Sequence, residues 1–312
     1  MTNNKIHDVI MIGAGPAALA AAVYTSREDI ETMLFEKGVI GGLAAITDKI
    51  DNYPGFPDGI EGLTLADNLR LQAERFGAVI ELGEVTSVKK VDDLLHLETT
   101  SGDMQARSVL VTTGSEWVKL GVPGETEYYG RGVHNCATCD GAFYREKRLV
   151  VVGGGNSAAQ EALFLTRYAS HIDILIRGDA WKASEVLIHD VENNDKLHVH
   201  FNTTTEEIVG ENNKITKVVG KDTKTNELKD FITDGVFVFV GLKPVTYFLK
   251  DSGVELDDRG FIKTDFKLRT AVAGIFAAGD VRSGATMQIA SAVGEGASAA
   301  LTIREYLEAS KI

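Results

Sequence analysis

One pattern constrains this chain more than any other. A short apolar strand, a glycine turn, an alanine-rich helix and a second apolar strand occur in that order twice, with the two turns 140 residues apart. In the first copy, residues 7–12 (HDVIMI) run into Gly13-Ala14-Gly15-Pro16-Ala17-Ala18. A helical stretch at 19–26 follows, then a strand at 32–35 that ends on Glu36. In the second copy, residues 148–152 (RLVVV) run into Gly153-Gly154-Gly155-Asn156-Ser157-Ala158. A helical stretch at 159–168 and a strand at 172–176 follow, ending on Arg177. The first glycine of such a turn permits the tight bend, and the second lets backbone approach a pyrophosphate. The helix N-terminus offers unpaired N–H groups and the positive end of its dipole. An acid about 20 residues past the turn, here Glu36, can accept from ribose hydroxyls and repels a 2′-phosphate.

The repetition predicts an α/β fold with two Rossmann-like nucleotide-binding domains, related as an internal duplication. Further apolar strands at 108–112, 236–240 and 275–277 end at Gly114, Gly241 and Gly279-Asp280. The last of these puts a carboxylate where α/β sheets bind ligands. Residues 82–100, and 206–219 with 227–232, alternate as antiparallel strands do. Placing the boundaries at these joins gives a discontinuous domain of residues 1–116 and 246–312. A second domain, 117–245, is inserted into it.

Composition narrows the function. The formal net charge is −13, which disfavours phosphate-rich partners such as nucleic acid or anionic membranes. The longest apolar run, near 17–24, is far short of the 18 or more residues that span a bilayer. The polar N-terminus shows no signal peptide, so the expected compartment is the cytoplasm. There are 32 glycines and only 5 prolines, a balance that suits tight turns in a packed fold.

The only cysteines are Cys136 and Cys139, in Cys-x-x-Cys spacing just before the second glycine turn. In a cytosolic setting that spacing favours redox chemistry. Asp140 follows directly and can serve as a general acid and base if burial raises its pKa. Three plainer readings compete: a buried inert thiol pair, an exposed Asp140 with no role, and a zinc site. Zinc needs about four ligands, and only His134 lies nearby, so no metal is expected. A nicotinamide delivers two electrons as hydride and a disulfide accepts two. A flavin is the usual intermediary, with the first turn holding FAD and the second NAD(P)H.

Over nearly its whole length the chain resembles the low-molecular-weight, bacterial-type thioredoxin reductases. The matching segments are GAGPAALAAAVY (13–24), DNYPGF (51–56), CATCDGAFYREKRLVVVGGGNSAAQEALFL (136–165), GVFVFVGLKP (235–244) and GIFAAGDVRSGATMQIASAVGEGASAA (274–300). The resemblance implies that Cys139 is the flavin-side sulfur and that Cys136 exchanges with thioredoxin. Asp140 would move the proton. Gly13, Gly15, Glu36, Gly42, Asn52, Asp280 and Gln288 would contact FAD, and Gly153, Gly155, Asn156, Ser157, Arg177 and Lys182 the nicotinamide dinucleotide. It also implies a homodimer whose inserted domain rotates during turnover.

Three departures from the family pattern matter. Leu43 stands where a Gln is usual, and Met287 precedes Gln288 where an Arg is usual. The usual His-Arg-Arg with a later Arg becomes Ile176-Arg177-Gly178 with Lys182. Two cations remain where the family often has three, so NADPH is the expected donor with NADH as the alternative. Arg177 and Lys182 can equally be solvated surface cations. Two other functions stay open: a related reductase with another donor or a glutaredoxin-like or peroxiredoxin-linked partner, and a flavin redox sensor without turnover.

Overall fold

The computed structural model describes residues 5–47, 49–50 and 52–309. Met1–Asn4 of the polar N-terminus and Asp51 of the 51–56 segment lie outside the described residues. The chain is mixed α/β and divides into two compact units. The first comprises Met1–Glu116 and Lys243–Ile312, and the second Trp117–Leu242.

In the first unit, strands Val79–Leu82, Thr32–Glu36, Ile6–Ile12 and Met104–Val111 lie side by side in that order, all parallel. The far edge of Met104–Val111 has two neighbours. Its N-terminal half pairs antiparallel with Leu94–Thr99, which continues to Val85–Val91. Its C-terminal half pairs parallel with Ile275–Ala277. Successive side chains of a strand point to opposite faces, and both faces of this sheet are covered. Val9 and Met11 join helices Pro16–Arg27 and Ile289–Ala309, whose alanines permit close approach. A Cβ at Gly296 would lie 2.1 Å from the Ala17 carbonyl oxygen. Ile10, Ile12, Val109 and Val111 face the opposite way, onto Phe35, Val88, Leu95 and Leu97. Burial on both faces explains why residues 7–12 read as a continuous apolar run rather than an alternating one.

The second unit repeats the plan. Strands Leu197–His200, His171–Leu175, Arg148–Val152, Gly235–Val238 and Val133–His134 form a parallel sheet in that order. Leu149 and Val151 pack on Ala158, Ala159, Ala162 and Leu165 of helix Asn156–Leu165. Val150 and Val152 face Ile208, Ile215, Val218 and Phe231. These last four belong to an antiparallel meander of Thr203–Glu211, Lys214–Asp222 and Leu228–Ile232. Each side chain of this kind contributes about 1.5–3 kcal/mol when fully buried. The position that Ile275–Ala277 takes in the first sheet is taken in the second by Val133–His134. The first of these strands leads into Gly279-Asp280, and the second into the cysteine pair.

Candidate active site

The first glycine turn is built as a cradle. Gly13 adopts φ +98°, and a Cβ there would sit 2.6 Å from the Thr112 carbonyl oxygen, so no other residue fits. Gly15 caps helix Pro16–Arg27 with no side-chain hydrogen bond, and nothing lies within 4 Å of where its Cβ would be. The first helical residue, Pro16, has no N–H to satisfy, and backbone can approach Gly15 closely, the setting in which a helix N-terminus receives a pyrophosphate. Gly42 begins the short helix Gly42–Ala45, and a Cβ on it would stand 3.7 Å from Gly15 Cα. Glu36 is engaged with the turn: Oε2 accepts from Ala14 N–H and Oε1 from Gly38 N–H, both at 2.8 Å. Each oxygen keeps a lone pair for a ribose hydroxyl. Glu36 lines a cleft with Gly13, Lys37, Glu84 and Tyr247.

Asn52 and Gln288 meet, with Asn52 Nδ2 donating to Gln288 Oε1 over 3.0 Å. Asp280 is half-buried, just beyond strand Ile275–Ala277. Burial, and then the charge of Glu295, push its pKa up to about 6. Glu295 is pinned in turn. It accepts from Gly279 N–H at 2.8 Å and takes a two-pronged bond from Arg282, Nε at 2.9 Å and Nη2 at 2.7 Å. This brace escaped the sequence reading, because Arg282 and Glu295 look like ordinary surface charges until the last helix folds back.

The second turn has the same build. Gly153 adopts φ +149°, and a Cβ there would lie 2.5 Å from the Phe239 carbonyl oxygen. Gly155 caps helix Asn156–Leu165, again without a side-chain bond and with open space around it. Lys182 N–H donates to the Gly154 carbonyl at 2.7 Å, and Ser184 N–H to Asn156 Oδ1 at 2.8 Å. These bonds carry Lys182 to the glycine turn. Arg177 and Lys182 are exposed, and neither pairs with an acid among the described residues. Asn156 and Ser157 are also exposed, in the first helical turn.

Cys136 and Cys139 are joined as a disulfide, with Cα atoms 5.3 Å apart. Cys136 caps the single helical turn Ala137–Asp140, and its Sγ receives the Cys139 N–H at 3.2 Å. Both cysteines and Asp140 are half-buried. Asp140 has a partner that sequence reading considered only as a metal ligand. His134 Nδ1 lies 3.2 Å from Asp140 Oδ2, and His134 Nε2 lies 2.7 Å from the Tyr144 hydroxyl. The imidazole is buried and stacks on Phe237, ring centroids 5.2 Å apart. Burial, with the charges of Asp140 and Asp234, raises the Tyr144 pKa well above the ordinary tyrosine value, so its hydroxyl stays protonated. Beneath the cysteine turn, Glu161 faces the Ala137 N–H. Burial raises its pKa, and its Oε2 has no hydrogen-bond partner among the described residues.

Comparison with known proteins places this geometry. Residues 7–296 match the family model described as pyridine nucleotide-disulphide oxidoreductase. A thioredoxin reductase of Bacillus subtilis is 42% identical over 308 residues, covering 99% of this chain and 97% of the relative. One from Treponema pallidum is 42% identical over 97% of each chain. Among solved structures, thioredoxin reductase from Streptococcus pyogenes superposes with a TM-score of 0.91 at 39% identity, covering 98% of this chain and all of its own. With glycine cradles in both units and a disulfide beside the second, the chain belongs to the pyridine nucleotide-disulphide oxidoreductases and, among them, to the bacterial-type thioredoxin reductase family.

Proposed function

We propose that the protein carries two electrons from NADPH, by way of FAD, to the Cys136–Cys139 disulfide and on to oxidised thioredoxin. It acts in the cytoplasm as a homodimer. The observation that carries this reading is the Cys136–Cys139 disulfide followed by Asp140, in the same unit as the Gly153 cradle. The relatives' names supply thioredoxin as the substrate.

The first unit suits FAD. Gly13, Gly15 and Gly42 leave room for a pyrophosphate, Glu36 for a ribose, and Asp280, Asn52 and Gln288 offer polar groups beyond them. The second unit suits NADPH. The Gly155 helix end meets the pyrophosphate, and Arg177 and Lys182, paired with no acid among the described residues, attract a 2′-phosphate. Gly178 supplies no third cation, so discrimination against NADH is modest.

A bound flavin supplies the two-electron relay between nicotinamide and disulfide. The rest is done by this chain's side chains. Two electrons and two protons convert the disulfide to two thiols, and Asp140 delivers a proton to a departing sulfur. Cys136 as thiolate then attacks a thioredoxin sulfur and expels the other as a thiol. Cys139 attacks Cys136, releasing the second thioredoxin sulfur and restoring the disulfide. Anaerobic titration of the yellow protein with NADPH and with NADH, followed by multiple-turnover reduction of thioredoxin, tests the reading. Bleaching by NADPH and sustained turnover are expected. Flavin that bleaches once without turnover would make the protein a sensor, and no bleaching by either nucleotide would overturn the donor assignment.

A further inference from the structure

We propose that Thr138 is a catalytic residue that polarises the Cys136–Cys139 disulfide: its hydroxyl and the Cys139 N–H both donate to Cys136 Sγ, so that attack falls on Cys139 and the bonding electron pair departs on Cys136. The proposal rests on the reading of this pair as the redox centre.

A disulfide sulfur carries no proton, so the Thr138 hydroxyl, 3.3 Å from Cys136 Sγ, is the donor in that hydrogen bond. The Cys139 N–H reaches the same sulfur at 3.2 Å. Among the described residues, no donor reaches Cys139 Sγ. Both cysteines are half-buried, so the donors, and not burial, tell the two sulfurs apart. The donors are also held in place before any reaction. Asn135 Nδ2 donates to the Val238 carbonyl at 2.8 Å and ties the residue ahead of Cys136 to strand Gly235–Val238. The Asp140 N–H donates to the Cys136 carbonyl at 3.1 Å and closes the turn.

A nucleophile that attacks a disulfide bonds to one sulfur and drives the bonding pair onto the other, which leaves as thiolate. Donors already aimed where negative charge develops lower that barrier. With both donors on Cys136 Sγ, the favoured attack is at Cys139. The new bond forms to Cys139 Sγ, the S–S bond breaks, and the electron pair stays on Cys136 Sγ. Two electrons delivered at Cys139 follow the same course and leave the thiolate on the sulfur proposed to attack thioredoxin. Thr138 is exposed, so water competes with its hydroxyl for the sulfur. Its share is therefore smaller than that of an enclosed donor, about three- to tenfold in rate.

The test uses the flavin-loaded protein with its disulfide intact, and sulfite as the nucleophile. Sulfite cleaves the bond to an S-sulfonate on the attacked cysteine and a thiolate on the other, which iodoacetamide caps. Peptide mass spectrometry reads which cysteine carries which group. Wild type is expected to carry the sulfonate mainly on Cys139 and the cap mainly on Cys136; the reverse would overturn the polarity. Thr138→Val keeps the side-chain shape and loses the hydroxyl, and should move the sulfonate ratio about three- to tenfold toward Cys136. Thr138→Ser keeps the hydroxyl and should restore most of the wild-type ratio. An unmoved ratio in Thr138→Val overturns the proposal. Equal shifts in the Val and Ser variants would assign the effect to packing and overturn it as well. Rapid mixing with NADPH adds the catalytic readout. The flavin-to-disulfide phase should slow about three- to tenfold in Thr138→Val and recover in Thr138→Ser, with bleaching of the flavin unchanged. A moved ratio with an unslowed phase would overturn the catalytic role. Wild-type thioredoxin turnover in Cys136→Ser would instead sink the underlying reading, and the proposal with it, whatever the sulfite ratios.

Discussion

Asn52 donates to Gln288 across 3.0 Å although 236 residues separate them. The bond ties the loop before strand Ile60–Glu61 to the residue that precedes the last helix, Ile289–Ala309. Two residues assigned to flavin on grounds of resemblance thus form one polar edge of the first unit. That edge, with the half-buried Asp280 and the open Gly15 cradle, frames the expectations below.

Replacing either cysteine separates the two halves of the reaction. Cys136→Ser or Cys139→Ser should abolish thioredoxin reduction, while flavin binding and bleaching by NADPH persist. The variants should differ in colour. Cys136→Ser leaves a thiolate at Cys139, the sulfur proposed to react with the flavin, and is expected to give a long-wavelength absorbance band. Wild-type turnover in either variant would exclude the pair as the redox centre.

Asp140→Asn keeps the shape of the turn Ala137–Asp140 and removes the proposed proton carrier. General acid and base assistance is typically worth about 10²–10⁴ in rate. Electron transfer between flavin and disulfide should slow at least about tenfold by the same principle, with bleaching by NADPH little changed. Rapid mixing resolves the two phases, and a normal second phase would remove Asp140 from the mechanism.

Arg177 tests the donor. One charged hydrogen bond is worth about 1.5–3 kcal/mol, or roughly 10- to 150-fold in affinity. Arg177→Ala should therefore raise the KM for NADPH by about tenfold or more and leave that for NADH nearly unchanged. Equal losses for both nucleotides would mean that the guanidinium does not read the 2′-phosphate.

Asp280 makes the flavin-free protein pH-sensitive. Its folded pKa, about 6, lies above the ordinary carboxylate value of 3.8 because of burial and the nearby Glu295. The native state therefore binds this proton more tightly than the unfolded chain does. The stabilisation from that proton is complete below the unfolded value and is lost as pH rises from about 4 through 6. Each tenfold difference in proton affinity between the folded and unfolded states is worth about 1.4 kcal/mol. Urea unfolding of stripped wild type and Asp280→Asn should diverge with rising pH, the variant being the more stable above pH 6. Glu295→Gln should lower the midpoint of that divergence, since it removes the like charge. Parallel pH curves for wild type and Asp280→Asn would show that the carboxyl is not strained by burial.

Much of the molecule could be read before folding, because backbone rules act locally. Gly13 and Gly153 are needed at positive φ by the turns themselves, and the apolar runs beside them are the signature of strands covered on both faces. The recurrence of that pattern predicted two nucleotide-binding units built on mainly parallel strands, and the spacing of Cys136 and Cys139 put both sulfurs on one turn, within reach of a disulfide. The strand edges were less sharp. The strand read at 108–112 begins at Met104 and ends at Val111, because pairing with Leu94–Thr99 extends it. The helix read from 159 starts at Asn156, since open glycine turns let it begin early.

What only the tertiary structure decided are the partners that charges and rings find across the fold. Glu36 bonds back to the glycine turn, and Lys182 reaches Gly154 through its backbone. Glu295 turns an exposed-looking helix residue into the brace for Gly279 and Arg282. His134, read from sequence as an insufficient metal ligand, is locked between Tyr144 and Asp140. Local sequence fixes which dihedrals and periods are allowed. Which side chains meet depends on how strands far apart in the chain are laid side by side, and a polar group buried by that packing must take its hydrogen bond from whatever neighbour the packing provides.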